Sequence, residues 1–185
     1  MQTLSYKPVF LLLVTMLLPL TFLACDSTEP DEGPGEEELI TTITLTLSAG
    51  DMTQTVSATD PDGDGTDFQI ETITLASGTT YTGSVELADD INDEDITEEV
   101  EEEAEEHQFF YMVGGQASGR VSVSITDKDD NGLPVGLEFT LTVTDGGATT
   151  GTLRVVLSHF DEEPKNGTDQ SDETDVDVTF PIEIQ

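Results

Sequence analysis

From Ile40 to the C-terminus the chain alternates apolar and polar residues with a period of two, and this pattern commits it to β structure. Ile43, Leu45 and Leu47 alternate with Thr42, Thr44 and Thr46, and Tyr81, Gly83, Val85 and Leu87 form a second set. Val121, Val123 and Ile125 alternate with serines, and Phe139, Leu141 and Val143 with threonines. Leu153, Val155 and Leu157 follow, and Val176, Val178, Phe180, Ile182 and Ile184 close the chain. Side chains at i and i+2 share one face of a strand, so each set marks a half-buried strand with a hydroxyl-rich outer face. Weaker strands are predicted at 52–58, 67–75 and 108–113. Ala49-Gly50-Asp51, the runs 60–65 and 127–132, Ser77-Gly78 and Asp145-Gly146-Gly147 supply the turns between them. Pro181 has no N–H to give, which predicts an edge position for the last strand or an outward turn of its missing donor.

About nine short strands joined by hairpins predict an all-β fold: an antiparallel β-sandwich, immunoglobulin-like in general form, with a barrel as the alternative. The lack of Trp and of a cysteine pair separates it from antibody-type domains. Nothing reads as repeated βαβ units.

One segment breaks the alternation. Between Glu86 and Glu106, 13 of 21 residues are acidic. Asp95-Ile96-Thr97-Glu98 reads as a helix start with a capping acid and a Glu three residues on. Ile96, Val100 and Ala104 fall at i, i+4 and i+8, so a short acidic helix reaching about Glu106 is predicted in a connection, crossing one end of the sandwich. Its like charges repel at i,i+4, and Glu105 and Glu106 oppose the helix dipole. High salt, packing of Ile96 and Val100, or a bound cation has to offset that.

The N-terminus reads as a targeting segment. Lys7 precedes an apolar run from Val9 to Leu23, broken by Pro19 and too short for a membrane span, which needs about 20 residues. It ends in Phe22-Leu23-Ala24-Cys25, and a small residue before the only cysteine resembles a bacterial lipobox. The expected organisation is a lipoprotein signal peptide over 1–24, a lipidated Cys25 with an acidic linker over 25–38, and a β-sandwich domain over 39–185. An ordinary secretory signal is the alternative. Asp26 to Glu38 has no core-forming residue and would reach at most about 45 Å. Acids after the cysteine resemble the surface-export signals of Bacteroidota lipoproteins, whereas in other bacteria an Asp beside the cysteine resembles an inner-membrane retention signal.

With 40 Asp and Glu against 5 Lys and Arg, a formal charge of −35, the chain has no basic surface for nucleic acid or for anionic lipid headgroups. There is also no G-x-S-x-G elbow, H-E-x-x-H motif or Gly-rich phosphate loop, so a non-enzymatic role is expected.

Two sets of residues have the chemistry of cation ligands. Asp60, Asp62 and Asp64 with Gly65, followed by Glu71, form a D-x-D-x-D-G pattern. Asp127, Asp129 and Asn131 with Gly132, followed by Glu138, form D-x-D-x-N-G. Hard oxygens at alternate positions around a glycine turn suit Ca²⁺. Plain hairpin turns are the other reading, and the flanking strands and Pro134 argue against an EF-hand. The second set is Glu99, Glu103 and His107 on one helical row, with His159 extending the Leu153, Val155, Leu157 row to the end of its strand. Imidazole nitrogen beside carboxylate suits Zn²⁺, Cu²⁺ or Ni²⁺, and a helix closing that end of the sandwich would let the histidines meet. A solvated acidic face with two unrelated histidines is the alternative. Phe109-Phe110-Tyr111 next to His107 points to both strand faces, one of them core. The other is expected to pack between sheet and helix, or to form a ligand platform or a partner contact.

Several stretches together resemble a family of small Bacteroidota lipoproteins that carry the label "type 1 periplasmic binding fold". These are Leu39-Ile40-Thr41-Thr42 after the acidic linker, Asp60 to Gly65, Thr80-Tyr81-Thr82-Gly83, Asp95 to Glu99, Glu106 to Tyr111, Thr126-Asp127-Lys128-Asp129, and Asp177-Val178-Thr179-Phe180-Pro181. The resemblance covers essentially the whole chain after the leader. It implies an outer-membrane location and service to a TonB-dependent receptor in nutrient or metal capture, and it supplies no ligand residues. The functional expectation is a lipid-anchored cell-envelope protein that binds a divalent cation. The alternative is a structural or adhesive surface module, calcium-stabilised or adapted to salt.

Overall fold

The computed structural model describes residues 39–160 and 163–185. The expected signal peptide, Cys25 and the expected acidic linker lie outside the described residues. Among the described residues, ten strands form two sheets. The first sheet has six strands: β1 (Thr42–Ala49), β2 (Met52–Thr59), β3 (Gln69–Ile70), β5 (Thr80–Ala88), β7 (Val121–Ile125) and β8 (Glu138–Val143). Their order is β3-β2-β1-β5-β8-β7. The second has four: β4 (Ile73–Leu75), β6 (His107–Gly115), β9 (Thr149–His159) and β10 (Glu173–Ile184), in the order β4-β10-β9-β6. There is no closed barrel among them.

The alternating residues form the layer between the sheets. Ile43, Leu45, Leu47, Ala58, Val85, Leu87, Phe139 and Leu141 from one sheet are buried in a common core with Phe109, Leu153, Val155, Leu157, Val178, Phe180 and Ile182 from the other. Gly83 holds an inward position because the Phe139 ring occupies the space of a side chain; a Cβ there would lie 2.3 Å from the ring. On the outer face the hydroxyls pair across strands, Thr44 with Ser57 at 3.1 Å and Ser48 with Thr53 at 3.1 Å.

Three features differ from the sequence expectation or resolve it. The single strand expected over 67–75 is two strands in different sheets. Glu71 sits at the switch, its N–H donating to the Ser57 carbonyl (3.0 Å) and its carboxylate accepting the Ser57 N–H (2.8 Å). The last strand has neighbours on both sides only over Ile182–Ile184, where β4 pairs with it in parallel. That pairing begins just after Pro181, which is paired with β9 through Thr152, in keeping with an outward turn of its missing donor. The helix α1 (Ile96–Glu102) stops short of Glu106. Asp95 caps it through the Thr97 N–H, Ile96 and Val100 are buried, and Glu103 leaves helical geometry. No basic residue lies in the last turn of the helix itself; the cation at its C-terminal end is Lys165, from a distant loop, whose ammonium donates to the Ala104 carbonyl.

The helix lies against β5, where the Thr97 hydroxyl accepts from the Leu87 N–H and donates to the Leu87 carbonyl. It carries the chain from β5 of the first sheet to β6 of the second. Phe109 and Tyr111 turn inward, the Tyr111 ring 4.6 Å from that of Phe139.

Candidate metal centre and the acidic turns

His107 is the first residue of β6 and His159 the last of β9, and they are direct cross-strand partners. Both belong to the inward row of their strand, one step beyond Phe109 and Leu157. Directly opposed residues on one face bring their side chains together. The two rings stand 4.4 Å apart at 38°, and both residues are buried, His107 completely. Polar groups at the edge of an apolar core cost free energy unless other polar atoms or an ion meet them.

The third strand at this end supplies the carboxylate. β10 pairs with β9 through Glu173↔His159 and Thr174↔Ser158, and then resumes at Val176↔Leu157. Asp175 is therefore the extra residue of a β-bulge. Strict alternation with Asp177 would turn it outward; the bulge turns it in, and its side chain is wholly buried. Re-aiming one side chain is what a bulge does within a ladder. The Asp175 Oδ2 lies 3.7 Å from His107 Nε2, and its Oδ1 lies 3.6 Å from His159 Nδ1. These separations exceed a hydrogen bond and are close to the spacing of neighbouring ligands, about 3.3–3.5 Å, around a tetrahedral ion bound at about 2.0–2.1 Å.

The turn after α1 forms the mouth of the site. His107 Nδ1 lies 3.2 Å from the Glu103 carbonyl oxygen, a contact that holds the ring with Nε2 facing Asp175. The Phe160 N–H donates to the Glu106 carbonyl at 2.7 Å, tying the end of β9 to the same turn. Exposed Glu103 brings a ligand atom within 4.8 Å of both histidines, and Glu106 Oε2 lies 4.0 Å from His159 Nε2. Of the four residues expected from sequence, the structure gathers Glu103, His107 and His159. Glu99, a turn earlier on α1 and exposed, is not among them. Asp175 and Glu106 were missed. The Asp175 bulge has no periodic signal, because it lies where the alternation of β10 fails.

No family model, curated protein or solved structure matches the chain. The residues themselves therefore carry the functional argument.

The two acidic turns share a pattern and differ in geometry. In the turn 127–132, Asp127 accepts the N–H groups of Gly136 (2.8 Å) and Glu138 (3.1 Å) on its two oxygens. Asp129 accepts from Asn131 and Leu133 on Oδ1, while its Oδ2 receives the Lys165 ammonium at 2.9 Å. Lys165 also donates to the Ala104 carbonyl at 2.7 Å. Burial opposes ionisation of Asp129, but the Lys165 contact and these N–H groups outweigh it and hold the carboxyl below its ordinary value. Among the described residues, the carboxylates of the expected calcium set Asp127, Asp129, Asn131 and Glu138 do not form a close group like that of the turn 60–65. Backbone donors and a lysine already meet its two aspartates, and Glu138 contributes its N–H to the turn.

In the turn 60–65, Asp60, Asp62 and Asp64 do converge, with ligand atoms within 4.8 Å of one another. The expected fourth ligand is elsewhere, since Glu71 is held by Ser57 at the sheet switch.

Proposed function

We propose that this chain is a non-enzymatic metal-binding protein of the cell envelope, holding a first-row divalent cation of the Zn²⁺ or Cu²⁺ class at the end of its sandwich. His107 and His159 supply imidazole nitrogens, Asp175 supplies a carboxylate, and Glu103 or Glu106 completes the set at the mouth. The observation that carries this reading is the bulge that turns Asp175 inward between two cross-strand histidines. Two imidazoles and a carboxylate select against Ca²⁺ and Mg²⁺, which take oxygen ligands. The buried donors favour retention of a metal over turnover at an open coordination position.

The setting follows the sequence: a lipid on Cys25 and an acidic spacer would hold the domain off a membrane, in keeping with metal capture beside a TonB-dependent receptor. The second reading is a structural or adhesive surface module. It is favoured by the acid-lined groove beside α1, where Glu86, Asp90, Asp93, Glu98 and Glu101 face solvent with no basic residue in the lining.

Thermal melts of the purified protein at fixed ionic strength separate the two. Zn²⁺ at about 100 times its Kd adds roughly 2.7 kcal/mol, about 5–10 °C for a domain of this size. His107→Ala and Asp175→Asn are expected to remove that shift, and His159→Gln guards against a variant that fails to fold. A Zn²⁺ effect no larger than that of matched NaCl, or one indifferent to all three substitutions, contradicts the proposal.

A further inference from the structure

The turn 60–65 is a second, chemically different case, independent of the histidine end. Asp60 is 1% exposed, and its side chain points into the turn it opens, where Oδ2 accepts the Gly65 N–H at 2.7 Å. Its other oxygen, Oδ1, is buried and has no hydrogen-bond partner. A buried carboxylate oxygen without a donor is costly and is rare in a folded protein. Around it the chain curls through Gly63 (φ 66°) and Gly65 (φ 77°), conformations that glycine takes at little cost. The curl brings the Asp62 and Asp64 carboxylates to the same place. Asp64, at an exposed position, commits Oδ1 to the Thr66 N–H (2.9 Å) and hydroxyl (2.7 Å).

We propose that Asp60, Asp62 and Asp64 bind one hard divalent cation of the Ca²⁺ class, with Asp60 Oδ1 as its buried ligand. Three carboxylates, water and nearby carbonyl oxygens meet the six to eight oxygens that Ca²⁺ takes, and Mg²⁺ fits a flexible turn less well. The geometry supports this: the three carboxylates converge within 4.8 Å of one another, and a divalent cation would relieve their mutual repulsion. The turn is also tied to the start of the domain, through the Asp60 N–H to the Thr41 carbonyl (2.7 Å) and through Gly63 beside Ile91 and Leu39. The bound ion would fasten the chain leading into β1.

The test is a calorimetric Ca²⁺ titration of the full chain at fixed ionic strength, with Mg²⁺ and Zn²⁺ run separately. One saturable Ca²⁺ site is expected, with a Kd of about 0.1–1 mM as in extracellular modules. Asp62→Asn and Asp64→Asn, both at exposed positions, are expected to weaken it about tenfold or more. Asp60→Asn is expected to abolish it, with a melt in EDTA confirming that the variant folds. Asp127→Asn leaves it intact if the proposal holds. Ca²⁺ binding that does not saturate, that Mg²⁺ matches, or that survives both Asp62→Asn and Asp64→Asn overturns the proposal. A Zn²⁺ site lost with Asp175→Asn alone leaves this result untouched, so the two sites succeed or fail separately.

Discussion

The turns 60–65 and 127–132 begin from the same pattern of alternating acids and a glycine, yet only one leaves a buried carboxylate oxygen unmet. In the second turn the positive charge comes from Lys165, 36 residues along the chain from Asp129, and the remaining oxygens are taken by backbone N–H groups. In the first turn the backbone supplies one N–H, from Gly65, to Asp60. A short acidic motif therefore does not define a cation site. What defines it is whether the rest of the fold has already supplied the countercharge.

The largest effect that bears on this contrast is the loss of Lys165. Lys165→Met leaves Asp129 buried with its charge uncompensated and is expected to cost about 3–5 kcal/mol by urea unfolding. Adding Asp129→Asn should restore much of that, and recovery of less than half would show that Lys165 acts mainly through its bond to Ala104. If the contrast is right, Lys165→Met alone should also make the second turn respond to Ca²⁺.

Acid titration gives a smaller effect of defined sign. The Asp129 carboxyl is lowered in the folded state, so its contribution to stability is complete above the unfolded carboxylate value of about 3.9. It is lost as pH falls through the lower folded value. Wild type should therefore lose stability over that interval by more than the Lys165→Met/Asp129→Asn pair, as measured by unfolding at a series of pH values.

The smallest change is expected at Asp60. Asp60→Asn keeps an oxygen for the Gly65 N–H while removing a buried charge. Without Ca²⁺ it should alter stability by less than about 1 kcal/mol, while its Ca²⁺-dependent stabilisation disappears. A large loss in EDTA would mean that the ionised carboxylate has a structural role and would erase the difference between the turns.

Much of the fold was legible in the sequence because burial on one face of a strand imposes a period of two. The rows of β1, β5, β8, β9 and β10 occupy the expected core. The switch at Glu71 was not legible, because 67–75 looks continuous and only the pairing with Ser57 and with β10 divides it. The nearness of His107 and His159 could be anticipated, since one follows the acidic segment and the other ends an apolar row. Asp175 could not, because among Asp172, Asp175 and Asp177 no local pattern marks the one that a register shift turns inward. Lys165 was hidden for a related reason: its partners are chosen by the path of a loop.

The central claim is that geometry, and not the bulk acidity of a chain with formal charge −35, decides where a transition metal binds. The most direct test is an anomalous difference map at the zinc absorption edge from crystals grown with Zn²⁺ at near-stoichiometric concentration. The account predicts one dominant peak between His107 Nε2, His159 and Asp175, about 2.0–2.2 Å from each donor atom. Peaks confined to the exposed carboxylates of Glu98, Glu101 and Glu102, with none between the histidines, would contradict it.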